Sequence, residues 1–384
     1  MRVTMLVRCL AMMRGGGETR HLAWARELGA LGVDVDIIAG RPLLLGGPRF
    51  PIDEANVTLL RSPYTRDFVY RRQRRRGFGR LTSALLHADE EWFCRAAWRR
   101  IAARAAKPDV VHAHALYQAA RLRADDTPVV INVPGEPPER SRSDLAQADA
   151  LIGDGWAAEH LPARIGMPIH RVSKGVDAES FSPDGPSLRE DLHLERRRVV
   201  VTVARLVPIK NVPLLVEAIA RVRERVPNVH LLIVGDGPER SAVRAIVGER
   251  GLVDCVTFAG QVPHRETPAC YRTGDVFALS SDFDNSPNAV LEAMASGLPI
   301  VATEAGGIRE FIGAGGGLLA PRGDAAALAR ALERYLTDAA WARAVGAHNR
   351  RIASTEFSWP ASARQLLAVY ERAVAARRNL RASA

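Results

Sequence analysis

The stretch RVVVTVARLVPIKNVPLLVEAIARV, Arg198–Val222, reads as a strand, a loop and a helix in succession. Its valine-rich start carries no polar alternation, the pattern of a strand buried on both faces of a parallel sheet. From Asn211 the period changes, and Leu214, Leu215, Ile219 and Val222 fall on one face of a helix. Asn211 can cap that helix, and Pro213 lies in the first turn, where a missing N–H costs nothing. Arg205 and Lys210 emerge in the loop between, at the carboxyl end of the strand, where open α/β sheets bind their ligands.

Working outward, the same unit repeats. After residue 188, strands are expected at Arg198–Val203, Val229–Val234, Val256–Phe258, Val276–Leu279, Pro299–Ala302 and Gly317–Leu319. Before residue 175, they are expected at Arg2–Val7, Val33–Ala39, Val57–Leu60, Asp109–His112, Val129–Val133 and Ala150–Ile152, with helices at Arg20–Leu31 and Glu90–Ala106. Alternating apolar strands and helices mean parallel sheets with both faces covered. The expected fold class is therefore α/β, with two Rossmann-like domains facing across a cleft. Residues 1–175 form the first domain and 188–356 the second, joined through Gly175–Ser187, which is rich in Pro, Ser, Asp and Gly. A helix over 357–378 could return to the first domain.

Composition narrows the class. The chain has 384 residues, 47% hydrophobic and 25% charged, which excludes disordered and collagen-like proteins. Four cysteines, Cys9, Cys94, Cys255 and Cys270, lie far apart, so neither a disulfide scaffold nor a structural zinc site is expected. With no signal-type cleavage site and no long apolar run, the expectation is a cytoplasmic protein. The formal charge is +10, and eight Arg sit in Arg61–Arg80 with Tyr64, Phe68, Tyr70 and Phe78 interleaved. That run suits peripheral contact with an anionic membrane at its inner face, or simply a solvated surface. No nucleic-acid-binding motif accompanies it, and nucleic acid is not expected as a partner.

The densest chemistry lies in SSDFDNSPNAVLEAMASGLPIVAT, Ser280–Thr303, which follows a strand and opens a helix. Ser286 is expected as N-cap with Pro287 at the first helical position, leaving the amides of Asn288, Ala289 and Val290 for an anion. Asp284 precedes the helix and Glu292 lies six residues past the cap, about 10 Å further along the axis. That separation exceeds the ~5–9.5 Å of a glycosidase pair and suits gripping two ends of one extended ligand. Arg205 and Lys210 offer a guanidinium fork and a point charge, the pair a diphosphate needs. Loops VGDGP with Gly235, FAGQV with Gln261 and Val262, AGGIRE, and the early GGGE with Gly15, Gly16 and Gly17 follow other strands. The early loop lacks the G-x-G-x-x-G fingerprint, which argues against a nicotinamide or flavin cofactor.

In this order, GGGE, GVDAESFSP, ARLVPIK, VGDGP, FAGQV and DNSPNAVLEAMASGLPIVAT resemble family 4 of the retaining glycosyltransferases, of GT-B architecture. The resemblance implies a nucleotide-sugar donor held by the second domain and an acceptor on the first. It implies that Arg205 and Lys210 hold the diphosphate, Asp284 contacts donor-sugar hydroxyls and Glu292 the ribose. Amides around Ser286–Val290 would face phosphates and sugar, Gln261 and Val262 the base, and Gly15–Gly17 phosphate or acceptor. A UDP-hexose is the donor expected, with no cofactor and no metal. Two departures stand out. Asp284 replaces the usual Glu, and Pro134 stands where the family often has a His near the donor sugar. His114, Asn132 and Glu136 are the candidates to line the site in its place.

Three other readings compete. Asp282 and Asp284 form a D-x-D that could hold a metal in a GT-A transferase. A nucleotide-sugar epimerase or a phosphorylase would share the architecture. A catalytically silent protein could bind nucleotide sugars or anionic membranes.

Overall fold

In this computed structural model the described residues are 1–11, 16–42, 56–63, 79–313 and 315–383. Gly15 and most of the Arg61–Arg80 run lie outside them. The chain divides into two compact units, Met1–Ser173 with Ser362–Ala384, and Lys174–Ala361.

The first unit is built on β1 (Arg2–Leu6), β2 (Asp34–Pro42), β3 (Val57–Ser62), β4 (Val110–His114), β5 (Val129–Asn132), β6 (Ala150–Gly153) and β7 (His170–Arg171). All pair in parallel, in the order β3-β2-β1-β4-β5-β6-β7. The order reverses between β1 and β4, so the loops leaving those strands diverge and open a crevice at their carboxyl ends. The strands are where the apolar runs place them. β7 has no such run and was not expected: two residues at a sheet edge need only backbone pairing. The first helix starts at Gly16, earlier than the expected Arg20, so Gly16 and Gly17 form its opening turn.

The second unit is built on β8 (Arg198–Val203), β9 (Val229–Val234), β10 (Val256–Gly260), β11 (Val276–Leu279), β12 (Ile300–Thr303) and β13 (Gly317–Ala320). Their order is β10-β9-β8-β11-β12-β13, again parallel throughout, with the reversal between β8 and β11. Side chains alternate between two cores as a pleated strand requires. Val200, Leu231, Ile233 and Ala278 enter one core, and Val199, Val201, Leu232 and Phe277 the other. The Val212–Arg225 helix covers the first core with Leu215, Ile219 and Val222, and Asn211 caps it by accepting from the Leu214 amide at 3.4 Å. Gly175–Ser187 is part of this unit. The Val176 amide donates to the Phe357 carbonyl at 2.7 Å, and Phe181 is buried.

The last helix, Trp359–Ser383, changes allegiance within its first turn. From Ser362 onward it belongs to the first unit. There Ala363, Leu366, Val369 and Tyr370 are buried, and the Trp24 indole N–H donates to Ser362 Oγ at 2.7 Å.

Candidate functional site

The reversal between β8 and β11 places their two exit loops side by side, and backbone and side-chain hydrogen bonds join them. The Asp282 amide donates to the Ile209 carbonyl at 2.9 Å, Ser280 Oγ to the Lys210 carbonyl at 3.2 Å, and Asn211 Nδ2 to Asp282 Oδ1 at 3.0 Å. This brings together two expected site residues 74 positions apart. Lys210 Nζ donates to both oxygens of Asp284, at 2.8 and 2.6 Å, each side chain 15% exposed. Asp284 is itself held by its backbone, since its carbonyl accepts from the Gly307 amide at 2.8 Å. Gly306, at φ +64°, lies so close that any side chain there would overlap the same carbonyl. The two aspartates therefore engage different partners, Asn211 and Lys210. Among the described residues no three His, Cys, Asp or Glu side chains are grouped to hold a metal ion.

Arg205 stands apart. It is exposed, and among the described residues no ion pair includes it. The structure places it at the same strand end as Lys210 without joining it to the Lys210–Asp284 pair.

The helix beyond Asp284 runs Asn288–Ala295, with Pro287 in the N-cap position and no side-chain cap. The expected cap, Ser286, is displaced one residue outward because Pro287 takes the extended conformation (φ −74°, ψ 116°) that precedes the helix. Ser286 is buried, and its carbonyl accepts from Lys174 Nζ. Val290 is also corrected. Its side chain is core, and its amide donates to the Pro287 carbonyl at 3.2 Å. The amides of Asn288 and Ala289 remain as the ones a helix cannot satisfy internally.

Glu292, one turn further, is held by two donors. Tyr271 Oη donates to Oε2 at 2.7 Å, and His264 Nε2 lies 3.2 Å from Oε1. The hydrogen bond to Glu292 raises His264 above the usual imidazole range, and burial pushes the Tyr271 phenol well above its own. Neither partner was foreseen. His264 had a weak signal, three residues after Gln261 in the same loop, whereas Tyr271 looked like any helix residue.

The glycine loop after β9 proves to be locked by packing. Gly235, at φ +130°, abuts the Ala204 carbonyl, and Leu206 N donates to the Asp236 carbonyl at 2.9 Å. Gly235 thus fixes the loop carrying Arg205. Gln261 is exposed, and Val262 packs against the second core.

In the first unit the reversal point gathers another set. His114, ending β4, lies with Nδ1 2.8 Å from Asn132 Oδ1, at the end of β5. Gly17 makes room for it, since a Cβ there would sit 2.5 Å from His114 Nε2. His21 lies beneath, with Nδ1 2.6 Å from the Gly17 carbonyl and its ring 4.5 Å from that of His114. Asn132 is 1% exposed, and its Nδ2 has no partner among the described residues. Glu136 does not join this group. It is exposed and pairs with Arg164 at 2.9 Å.

Two family models match the chain: Glycosyl transferase 4-like domain over residues 15–165, and Glycosyl transferases group 1 over 197–338. Between them they take in five of the seven strands of the first sheet and all six of the second, and the chain belongs to the family 4-type glycosyltransferases of GT-B architecture. A GDP-mannose-dependent alpha-(1-6)-phosphatidylinositol monomannoside mannosyltransferase of Mycolicibacterium smegmatis is 32% identical over 57% of this chain and 57% of its own length. The Mycobacterium tuberculosis protein of the same name is 34% identical over 59% and 58%. The chain thus spans somewhat over half the length of these relatives. Among solved structures, sucrose-phosphate synthase from Thermosynechococcus elongatus superposes with a TM-score of 0.76 at 22% identity, covering 98% of this chain and 99% of that one. Anabaena Alr3699/HepE in complex with UDP gives 0.73 at 20%, covering 97% and 100%.

Proposed function

We propose that this protein transfers a hexosyl unit, with retention, from a nucleotide sugar to an acceptor hydroxyl. The observation that carries the reading is the Lys210–Asp284 pair at the reversal point of the second sheet, beside a helix with unsatisfied leading amides. Asp284 neutralises Lys210 in this pair. A bound donor would divide the pair, the diphosphate taking the ammonium and the sugar hydroxyls taking the carboxylate. As the C1–oxygen bond to the diphosphate breaks, its growing charge would meet Lys210, Arg205 and the amides of Asn288 and Ala289. The acceptor oxygen would attack C1 from the face the diphosphate leaves, its proton passing to a phosphate oxygen. No enzyme nucleophile is then needed, and fixed cations would do the work of a divalent metal.

The relatives named above favour GDP-mannose as donor over the UDP-hexose expected from sequence, because the UDP-bound structures are too distant in sequence to speak for more than fold. Their names and the Arg61–Arg80 run together support an anionic glycolipid acceptor, reached at a membrane surface. A second reading, a silent nucleotide-sugar binder, is favoured by Pro134 alone.

A single experiment tests these points. GDP-mannose and UDP-glucose are incubated with anionic glycolipid vesicles across a salt series, with EDTA in a parallel arm. Product is expected with GDP-mannose, undiminished by EDTA and declining as salt rises. Lys210→Ala should lower turnover on the order of 100-fold. Donor binding without transfer or nucleotide release would establish the silent reading, and transfer that needs added metal would overturn the mechanism.

A further inference from the structure

A cavity of 660 Å³ lies within the first unit at the amino ends of β4 and β5, the opposite edge of that sheet from His114 and Asn132. One wall is the last helix, whose Val374, Arg377, Arg378 and Arg381 recur at helical spacing and so share one face. The other walls are the loops before the two strands, with Lys107, Pro108 and Asp109 from one and Asp125 to Pro128 from the other. Most of the carboxylates here are already engaged. Asp125 accepts from the Thr127 amide at 3.0 Å and from Thr127 Oγ1 at 2.6 Å, and it pairs with Lys107 at 2.9 Å. Asp109 Oδ2 accepts from the Arg2 amide at 2.8 Å. Asp149, which Arg377 also approaches, accepts from the Val129 amide at 2.8 Å and from Arg123 at 2.9 Å. The guanidiniums of the helix are held far more loosely. Arg377 stands 3.6 Å from Asp126 and 3.4 Å from Asp149, and Arg381 stands 3.6 Å from Asp126. Each distance is longer than a hydrogen bond. Among the described residues no ion pair includes Arg378. Three forked cations thus face the cavity with one exposed carboxylate, Asp126, and one oxygen of Asp149 between them.

We propose that this cavity binds a small, soluble phosphate monoester, with the phosphate on Arg377, Arg378 and Arg381 and the carbon body against Pro108, Pro128 and Val374. A guanidinium offers paired N–H donors that match phosphate oxygens, and a dianion supplies the charge that these three groups lack. The volume falls within the ~300–1,000 Å³ of small-molecule sites and is more than inorganic phosphate alone would fill. The site is separate from the donor-site reading. Its residues all belong to the first unit, and β4 alone sets it roughly 15 Å from the carboxyl end of that sheet. Cations in the final turns also suit the negative end of the helix dipole, a role in which they would stabilise the helix and bind nothing.

Titration calorimetry with ribose 5-phosphate, inorganic phosphate and ribose separates the two roles. The native protein should bind ribose 5-phosphate more tightly than inorganic phosphate, and ribose not measurably. Arg378→Gln and Arg381→Gln combined should weaken the ester about tenfold or more, the order of a lost hydrogen bond to a charged group. Asp126→Asn removes the competing carboxylate and should tighten the ester about twofold or more, although it also removes two ion pairs. Lys210→Ala, in the other unit, should leave the affinity unchanged. Ester binding that is lost in Lys210→Ala and kept in the arginine variant would place the ester elsewhere and overturn the proposal. Equal affinity for the ester and inorganic phosphate would mark a general basic patch and overturn it too. An arginine variant that melts lower yet binds the ester as before would establish the helix-stabilising role instead. Absence of ester binding by the native protein would end the proposal and leave the donor-site reading standing.

Discussion

The first unit holds two fully buried histidines, His21 and His112, in contact with each other. His112 is wholly buried, with Nδ1 2.5 Å from Tyr370 Oη and its ring against His21 at 5.0 Å and Trp24 at 5.6 Å. Burial, then the neighbouring His114 and Arg20, hold its pKa down to about 3 from 6.5. His21 is lowered well below the usual range by burial first, then by His114 and His112. Between pH 6.5 and about 3 the unfolded chain therefore binds more protons than the folded one. Stability falls as pH drops through that window, by about 1.4 kcal/mol per pH unit for one such histidine. Urea unfolding followed by hydrogen exchange in β1 and β4 should show this slope from pH 6.5 to 5. His112→Asn, which keeps a partner for Tyr370, should flatten it. Equal slopes would mean that His112 is already charged in the fold.

At the scale of elements, the loops that carry the site depend on backbone fit. At Gly306 a Cβ would strike the Asp284 backbone, and φ is +64°. Gly306→Ala should cost at least ~1–2 kcal/mol for the left-handed conformation alone. It should also displace Asp284 from Lys210, weakening donor binding. Gly248→Ala is the contrast, because its Cβ meets nothing within 4 Å in a helix. That change should stabilise by about 0.4–1 kcal/mol. Thermal melts and donor titrations of the two variants check both. These elements also show what could be read in the chain. The strand, loop and Asn211-capped helix were legible because valine runs, helical spacing and a cap are local signals. Lys210 and Asp284 could each be named from their loops, but their pairing across 74 residues follows from strand order, which no local pattern states. Tyr271 escaped for the same reason, since the partner of its hydroxyl, Glu292, lies 21 residues away. Ser286 was misplaced by one residue because a serine and a proline can both precede a helix, and the extended backbone that makes Pro287 the N-cap leaves no local signal in the sequence.

At the scale of the whole molecule, the second unit interrupts the first. Residues Ser362–Ala384 complete a core begun by Met1–Ser173, supplying buried Leu366, Val369 and Tyr370 and the partner of the Trp24 indole. Truncation after Ala361 should therefore unfold the first unit while sparing the second. Hydrogen exchange should be fast throughout β1–β6 and remain slow in β8, β9, β11 and β12. Protection retained in β1 and β4 would show that the tail is dispensable to its own unit.

That interruption has a consequence for ancestry and engineering. Ser362 Oγ donates to the Ser173 carbonyl, and the Ser173 amide donates to Gln365 Oε1 at 2.9 Å, although 189 and 192 positions separate these residues along the chain. Seen from the first unit, Lys174–Ala361 is a single excursion that departs and returns through one doorway. A recombination event, or a designer, could lift out that whole passenger and splice in another, with a few flexible residues sufficient to close the gap. The second unit is in this sense exchangeable cargo, and the first unit is the vehicle that must remain whole.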